Sequence, residues 1–229
     1  MLLMKKESRM NVICAVDIET TGLDPFRDEI LQLAIVPLDF LPKAGQVRNM
    51  SSQRHDSQTL PDDVREVRRP LNIRIKALMP ERMSAEVRKI TGLDPCEGLN
   101  LFDARKAVND WLRENNIEKV IPVGHNYTKF DGPFLRNSQA VNYDEVFSHH
   151  ELDTLIIARF ANKLCEFRKG QTCLLELPSR RLFTSLKLMD LAADLRISQS
   201  AREKPHDALS DATIAGEIFF KLLELFDFK

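Results

Sequence analysis

NVICAVDIETTG, residues 11–22, decides how this chain folds and where its chemistry sits. It begins as an apolar, β-branched run and breaks at Thr20-Thr21-Gly22, so residues 11–17 predict a buried strand. Asp17 and Glu19 are two apart at its end, and side chains alternate across a strand, so both project from one face. Carboxylates held together raise each other's pKa unless a cation lies between them. Hard oxygen ligands of this kind suit Mg²⁺ or Mn²⁺. Taken alone, D-x-E reads more simply as an exposed strand edge with unrelated charges.

Outward from this strand, Asp24-Pro25 marks a turn and EILQLAIVPLDF reads as a second strand, 29–38, paired with the first as a hairpin. Residues 41–80 are polar and proline-containing, and read as one short strand plus a long, basic, irregular insertion. Ser84 and a glycine stop frame a short helix over 84–90. FDARKAVNDWLREN places Phe102, Ala104, Ala107, Val108, Trp111 and Leu112 at helical spacing. A strand follows at 119–123, then a short helix carrying Asp131, a strand end with a helix from about 154, a helix in SLKLMDLAADLRI, and a long amphipathic helix in DALSDATIAGEIFFKLLELF. Strands first and strand–helix alternation later indicate an α/β fold with a mixed central β-sheet flanked by helices. No repeat or linker interrupts residues 1–229, which read as a single domain.

Two further segments carry candidate chemistry. Asp131 follows Phe130 in a helix that opens just after a strand end, where sites in α/β sheets usually lie. Asn126 is a helix-capping candidate and His125 adjoins it, while Tyr127 and Phe130 are suited either to base stacking or to the core. His206 and Asp211 are five positions apart, roughly 140° around a helix, so they share a site only if His206 precedes the helix and Asp211 lies in its first turn. Pro205 favours a helix entrance there, and Asp207 is a natural N-cap. A histidine so placed can take a proton from water near neutral pH.

Composition limits the alternatives. With 229 residues, 43% hydrophobic and 29% charged, the chain is long enough for a sizeable core. A net charge of −1 argues against nonspecific coating of nucleic acid. Charge is unevenly placed, however: Lys43–Lys89 holds eleven Lys/Arg against six Asp/Glu. In that stretch Arg65, Arg68 and Arg69 are candidates to grip a polyanionic strand. No apolar run approaches membrane-spanning length, and the N-terminal ten residues do not form a signal peptide. Four irregularly spaced cysteines without a C-x-x-C pair fit reduced thiols in a cytoplasmic protein. P-loop, dinucleotide and nucleophile-elbow motifs are absent.

Three ordered segments, D-x-E-T-T-G at 17–22, H-N-x₃-F-D at 125–131 and H-D-A-x-x-D-A at 206–212, resemble the three motifs of the DnaQ-like 3′→5′ exonucleases. The likeness runs from about residue 11 to 222, and a histidine rather than a tyrosine in the third motif matches the DEDDh branch. That resemblance implies a ribonuclease H-like fold. It also implies that Asp17, Glu19, Asp131 and Asp211 hold two divalent cations, Mg²⁺ or Mn²⁺, with His206 as general base. Thr20 by its backbone and Leu23 by its side chain would contact the 3′-terminal nucleotide, with Asn126 and Phe130 as further substrate-binding candidates. Nucleoside 5′-monophosphates would leave one at a time from the 3′ end of a nucleic acid. Single-stranded DNA is the expected substrate and RNA the alternative. A polymerase or a replication or repair complex is a further expected partner, and a membrane is not. A noncatalytic binding module on the same fold is the third reading, against which stand five intact motif positions.

Overall fold

The computed structural model describes residues 9–39, 41, 68–166, 182–197 and 206–226. Strands β1 (Met10–Thr20) and β2 (Ile30–Pro37) form the expected antiparallel hairpin. β1 runs three residues beyond the predicted end because Glu19 and Thr20 still pair with β2. Strand β3 (Leu71–Arg74) is the short strand expected within 41–80, and residues 42–67 of that insertion lie outside the described residues. Strands β4 (Ile117–Gly124) and β5 (Leu152–Asp153) run parallel to β1, completing a mixed sheet of order β3-β2-β1-β4-β5. Every residue of β2 is buried, which suits its unbroken apolar run.

Helix α1 (Ala85–Thr91) starts at Ser84, whose hydroxyl accepts from Val87 N–H at 3.2 Å, and stops at Gly92 in the left-handed region, φ 67°. Helix α2 (Leu101–Glu114) is capped by Asn100 and buries Ala104, Val108, Trp111 and Leu112. Phe102, grouped with them by spacing, is 77% exposed instead. Two positions from Ala104 is about 200° around a helix, which turns Phe102 to solvent. Short helices α3 (Asp131–Asn137) and α4 (Tyr143–Val146) follow β4, and α5 (Thr154–Glu166) follows β5. Helix α6 (Leu188–Asp194) buries Leu191 and Ala192, and α7 (Ala208–Leu225) closes the described chain. No described helix is long and apolar enough to cross a membrane.

The alternation of β1 sorts the core into two layers. Cys14, Val16 and Ile18 pack with Val108, Trp111 and Phe134 on one side. Ala15 packs with Ala34, Val123, Ala208 and Ala212 on the other. Small residues bring α7 close to the sheet: a Cβ on Gly216 would stand 3.1 Å from Ala15 Cβ and 2.5 Å from Leu41 Cδ1. Asp17 and Glu19 share the parity of Ala15 and therefore face the α7 side. Glu19 pairs with Gln32 but Thr20 with Ile30, so a bulge falls at the second carboxylate. Bulges of this kind re-aim side chains beside functional sites.

Candidate active site

Ligand atoms of Glu19, His206 and Asp211 all lie within 4.8 Å of one another. Their meeting depends on how α7 begins. Asp207 is the N-cap, accepting from Ser210 N–H at 3.1 Å, so Asp211 falls in the first turn and His206 just before it. This is the arrangement that the five-residue spacing requires. His206 adopts φ 61°, a left-handed conformation that is strained for a residue with a Cβ. Its backbone N–H donates to Asp211 Oδ2 at 3.2 Å, which holds the turn.

The other two acids are coupled electrostatically to this group. Burial and then the charges of Asp131, Asp211, Glu19 and Asp207 push Asp17 well above the usual carboxylate range. Burial, then Asp211 and Asp207, raise Glu19 to about 7. Asp131 rises to about 8, mainly by burial, although backbone N–H groups, Ile18 among them, oppose the shift. Asp211 rises to about 6, again mainly by burial, with His206 opposing.

Asp211 Oδ1 is buried without a hydrogen-bond partner. Carboxylates that destabilise one another, one imidazole and an unpartnered buried acceptor fit a hard divalent cation. A separate surface cleft of about 190 Å³, among residues that include Phe26, Lys76, Arg82 and Phe134, contains none of these five side chains.

The substrate-contact candidates behave differently from one another. Leu23 projects into solvent, 81% exposed, from the loop after β1. Thr20 is buried and its hydroxyl donates to Gly22 O at 2.5 Å. Thr21 closes the same loop through Glu29, donating from its N–H and accepting at Oγ1, each at 2.9 Å. Phe130 is half-buried against Phe134, ring centroids 5.0 Å apart. Tyr127, a stacking candidate, is fully buried and belongs to the core. Asn126 caps no helix: Phe130 occupies the N-cap of α3, and Asn126 instead takes a left-handed turn at φ 67°.

Two residues govern this turn, Asp153 and the motif residue His125. Asp153 accepts from Asn126 N–H at 3.1 Å and from Thr128 N–H and Oγ1 at 3.1 and 2.9 Å. His125 has both ring nitrogens engaged, with Thr154 Oγ1 and Leu186 O each at 2.9 Å, and burial lowers its pKa. Through these two bonds it braces the loop. Arg68, a strand-gripping candidate, pairs with Asp39 and donates to Asn115 O at 3.1 Å, a structural tie. Arg65 lies outside the described residues.

Residues 14–219 match the family model of the RNase T exonucleases. No curated protein matches the chain by sequence. Among solved structures it is similar to Escherichia coli exonuclease I in complex with a dT13 oligonucleotide, at 20% identity and TM-score 0.56, covering 95% of this chain and 43% of that one. A moderately thermophilic exonuclease I from Methylocaldum szegediense is similar at 18% identity and TM-score 0.56, over 93% and 40% of the two chains. The nuclease domain of 3′hExo, a DEDDh family member bound to rAMP, matches at 15% identity and TM-score 0.52, over 93% and 91%. The chain thus spans about two-fifths of the length of the exonuclease I chains, and at these identities the likeness is one of fold.

Proposed function

The chain belongs to the RNase T exonuclease family, and from that premise we propose that it is a DEDDh 3′→5′ exonuclease with a ribonuclease H-like fold, which degrades single-stranded DNA from its 3′ end with two divalent cations, Mg²⁺ or Mn²⁺. The observation that carries this reading is the convergence of Glu19, His206 and Asp211 within 4.8 Å, beside the mutually repelling Asp17 and Asp131. In this reading Asp17, Glu19, Asp131 and Asp211 hold the cations. Cations held there would supply Lewis-acid stabilisation of the charge that develops at the scissile phosphate.

The remaining steps fall to the chain's own residues. A ring nitrogen of His206 takes a proton from the attacking water as its oxygen bonds to phosphorus. The P–O3′ bond breaks and the leaving oxygen takes a proton from solvent water, giving a 3′-hydroxyl on the shortened strand and a nucleoside 5′-monophosphate, while His206 returns its proton to solvent. Leu23, exposed on the loop after β1, would lie against the terminal base, and the Thr20 backbone would orient the terminal nucleotide. Phe130 and Asn126 line the same terminal subsite. We read residues 1–229 as a single exonuclease domain, with a polymerase or a replication or repair complex as its proposed partner.

Two ligands seen in the similar structures, dT13 and rAMP, represent the two substrate readings. The test follows end-labelled DNA and RNA of one sequence with Mg²⁺, for wild type beside Asp17→Asn. The expected result is a ladder shrinking from the 3′ end, faster on DNA and absent in the variant. A faster RNA ladder would reverse the substrate assignment, and cleavage by the variant would remove Asp17 from the site.

A further inference from the structure

Gln32 is an amide in the middle of the fully buried strand β2, itself 2% exposed. A buried polar side chain in such a strand is costly unless its hydrogen bonds are met. Here they are met by three partners. Nε2 donates to Asn72 Oδ1 at 2.9 Å and to Asp207 Oδ2 at 3.2 Å, while Oε1 accepts from Ala208 N–H at 3.3 Å. Only one orientation of the amide satisfies all three, because the Ala208 N–H can only donate and the Asp207 carboxylate can only accept.

The position of this amide gives it a further role. Gln32 faces Glu19 directly across the β1–β2 ladder. Its two contacts on the other side are the N-cap residue and the first residue of α7. Asp207 in turn fixes the first turn by accepting from Ser210 N–H, and His206 and Asp211 are joined by their own hydrogen bond. One side chain therefore spans from the strand position opposite Glu19 to the residue between His206 and the start of the helix that carries Asp211.

We propose that Gln32 is a positioning residue for the exonuclease reaction, locking the entrance of α7 against the sheet so that His206 and Asp211 meet Glu19. This rests on the catalytic reading of those three residues. A hydrocarbon at position 32 would leave the Ala208 N–H and one Asp207 oxygen without their partner. A glutamate would keep the bond to Ala208 and set a second carboxylate against Asp207. Neither can hold the cap as the amide does.

The experiment compares wild type, Gln32→Leu, Asp207→Ala and the double variant as full-length chains, by kcat and KM on an end-labelled oligonucleotide and by Mn²⁺ binding without nucleic acid. Outer-shell residues of this type are worth about 10- to 100-fold in activity or metal affinity. Gln32→Leu is expected to lower kcat and weaken Mn²⁺ binding within that range, with KM nearly unchanged. If Gln32 acts through the cap, the double variant is no worse than the weaker single one. Wild-type kcat and Mn²⁺ affinity with only a lower Tm would overturn the proposal, as would fully additive losses. Should Gln32→Leu fail to fold, Gln32→Glu takes its place, keeping the Ala208 bond while setting a carboxylate against Asp207, and unchanged kcat and Mn²⁺ binding there would overturn it too. An inactive wild type that still binds Mn²⁺ more tightly than Gln32→Leu would reject the exonuclease reading and keep the positioning role.

Discussion

The backbone N–H of Ile18 donates to Asp131 Oδ1 at 3.2 Å. Ile18 is the residue between the two carboxylates of D-x-E, and its side chain enters the core opposite to theirs. The peptide that separates the first two acids therefore anchors the third, on α3. Packing has forced the carboxylates together, and part of the stability of the fold is given up to do so.

That cost has a pH dependence. Asp131 near 8, Glu19 near 7 and Asp211 near 6 all stand above their ordinary values of 3.8, 4.5 and 3.8. With a folded pKa above the unfolded one, the folded state keeps protons that the unfolded chain has released, so stability falls as pH rises through the folded values. The metal-free protein is expected to melt at a lower temperature at pH 8 than at pH 5. Mg²⁺ at pH 8 should recover much of the difference. Thermal melts with and without a chelator check this, and equal Tm at the two pH values would contradict it.

Asp17 feels four neighbouring carboxylates and is the centre of this repulsion. Asp17→Asn keeps its shape and removes its charge, so the metal-free variant at pH 8 should gain roughly 0.5–2 kcal/mol while losing exonuclease activity. Denaturant unfolding beside a nuclease assay reads both. A destabilised variant would mean that Asp17 is held by bonds its charge needs.

His206 separates backbone geometry from chemistry. Its φ of 61° is one that glycine adopts freely. His206→Gly should leave stability unchanged or raise it by about 1 kcal/mol, yet lower kcat about 10²- to 10⁴-fold if the ring moves a proton. The Mg²⁺-induced rise in Tm is expected to survive the substitution. Its loss would make the ring a metal ligand rather than a base.

Local pattern made most of the site legible. Period two put Asp17 and Glu19 on one face, and Pro205 with the Asp207 cap set His206 and Asp211 around a helix start. Sequence reading stopped where partners are distant. Gln32 is legible as part of the strand in EILQLAIVPLDF, but its bond to Asp207 joins positions 175 apart. Asn126 has the composition of a cap, but Asp153, 27 positions away, takes its backbone and bends it into a turn. Tyr127 sits in a motif yet fills the core, because burial depends on which layer the β4–α3 turn meets.

Asp153 provides the sharpest stability test of that turn. Besides Asn126 and Thr128 it accepts from Leu155 N–H at 3.0 Å and Ile156 N–H at 3.4 Å, so one buried carboxylate both caps α5 and clamps the loop leading to Asp131. Hydrogen bonds to a charged acceptor are the stronger kind, and their donors are stranded when it goes. Asp153→Ala should cost about 3 kcal/mol, among the larger single-site losses. Asp153→Asn turns an NH₂ group toward the donors of one oxygen and should cost about half as much. Its lost charge also removes one of the influences that raise Asp131. The pH-dependent fall in metal-free stability should then be shallower in Asp153→Asn than in wild type. Denaturant titrations across pH 5 to 8 measure both quantities, and parallel curves would show that Asp153 acts on Asp131 through the loop's shape alone.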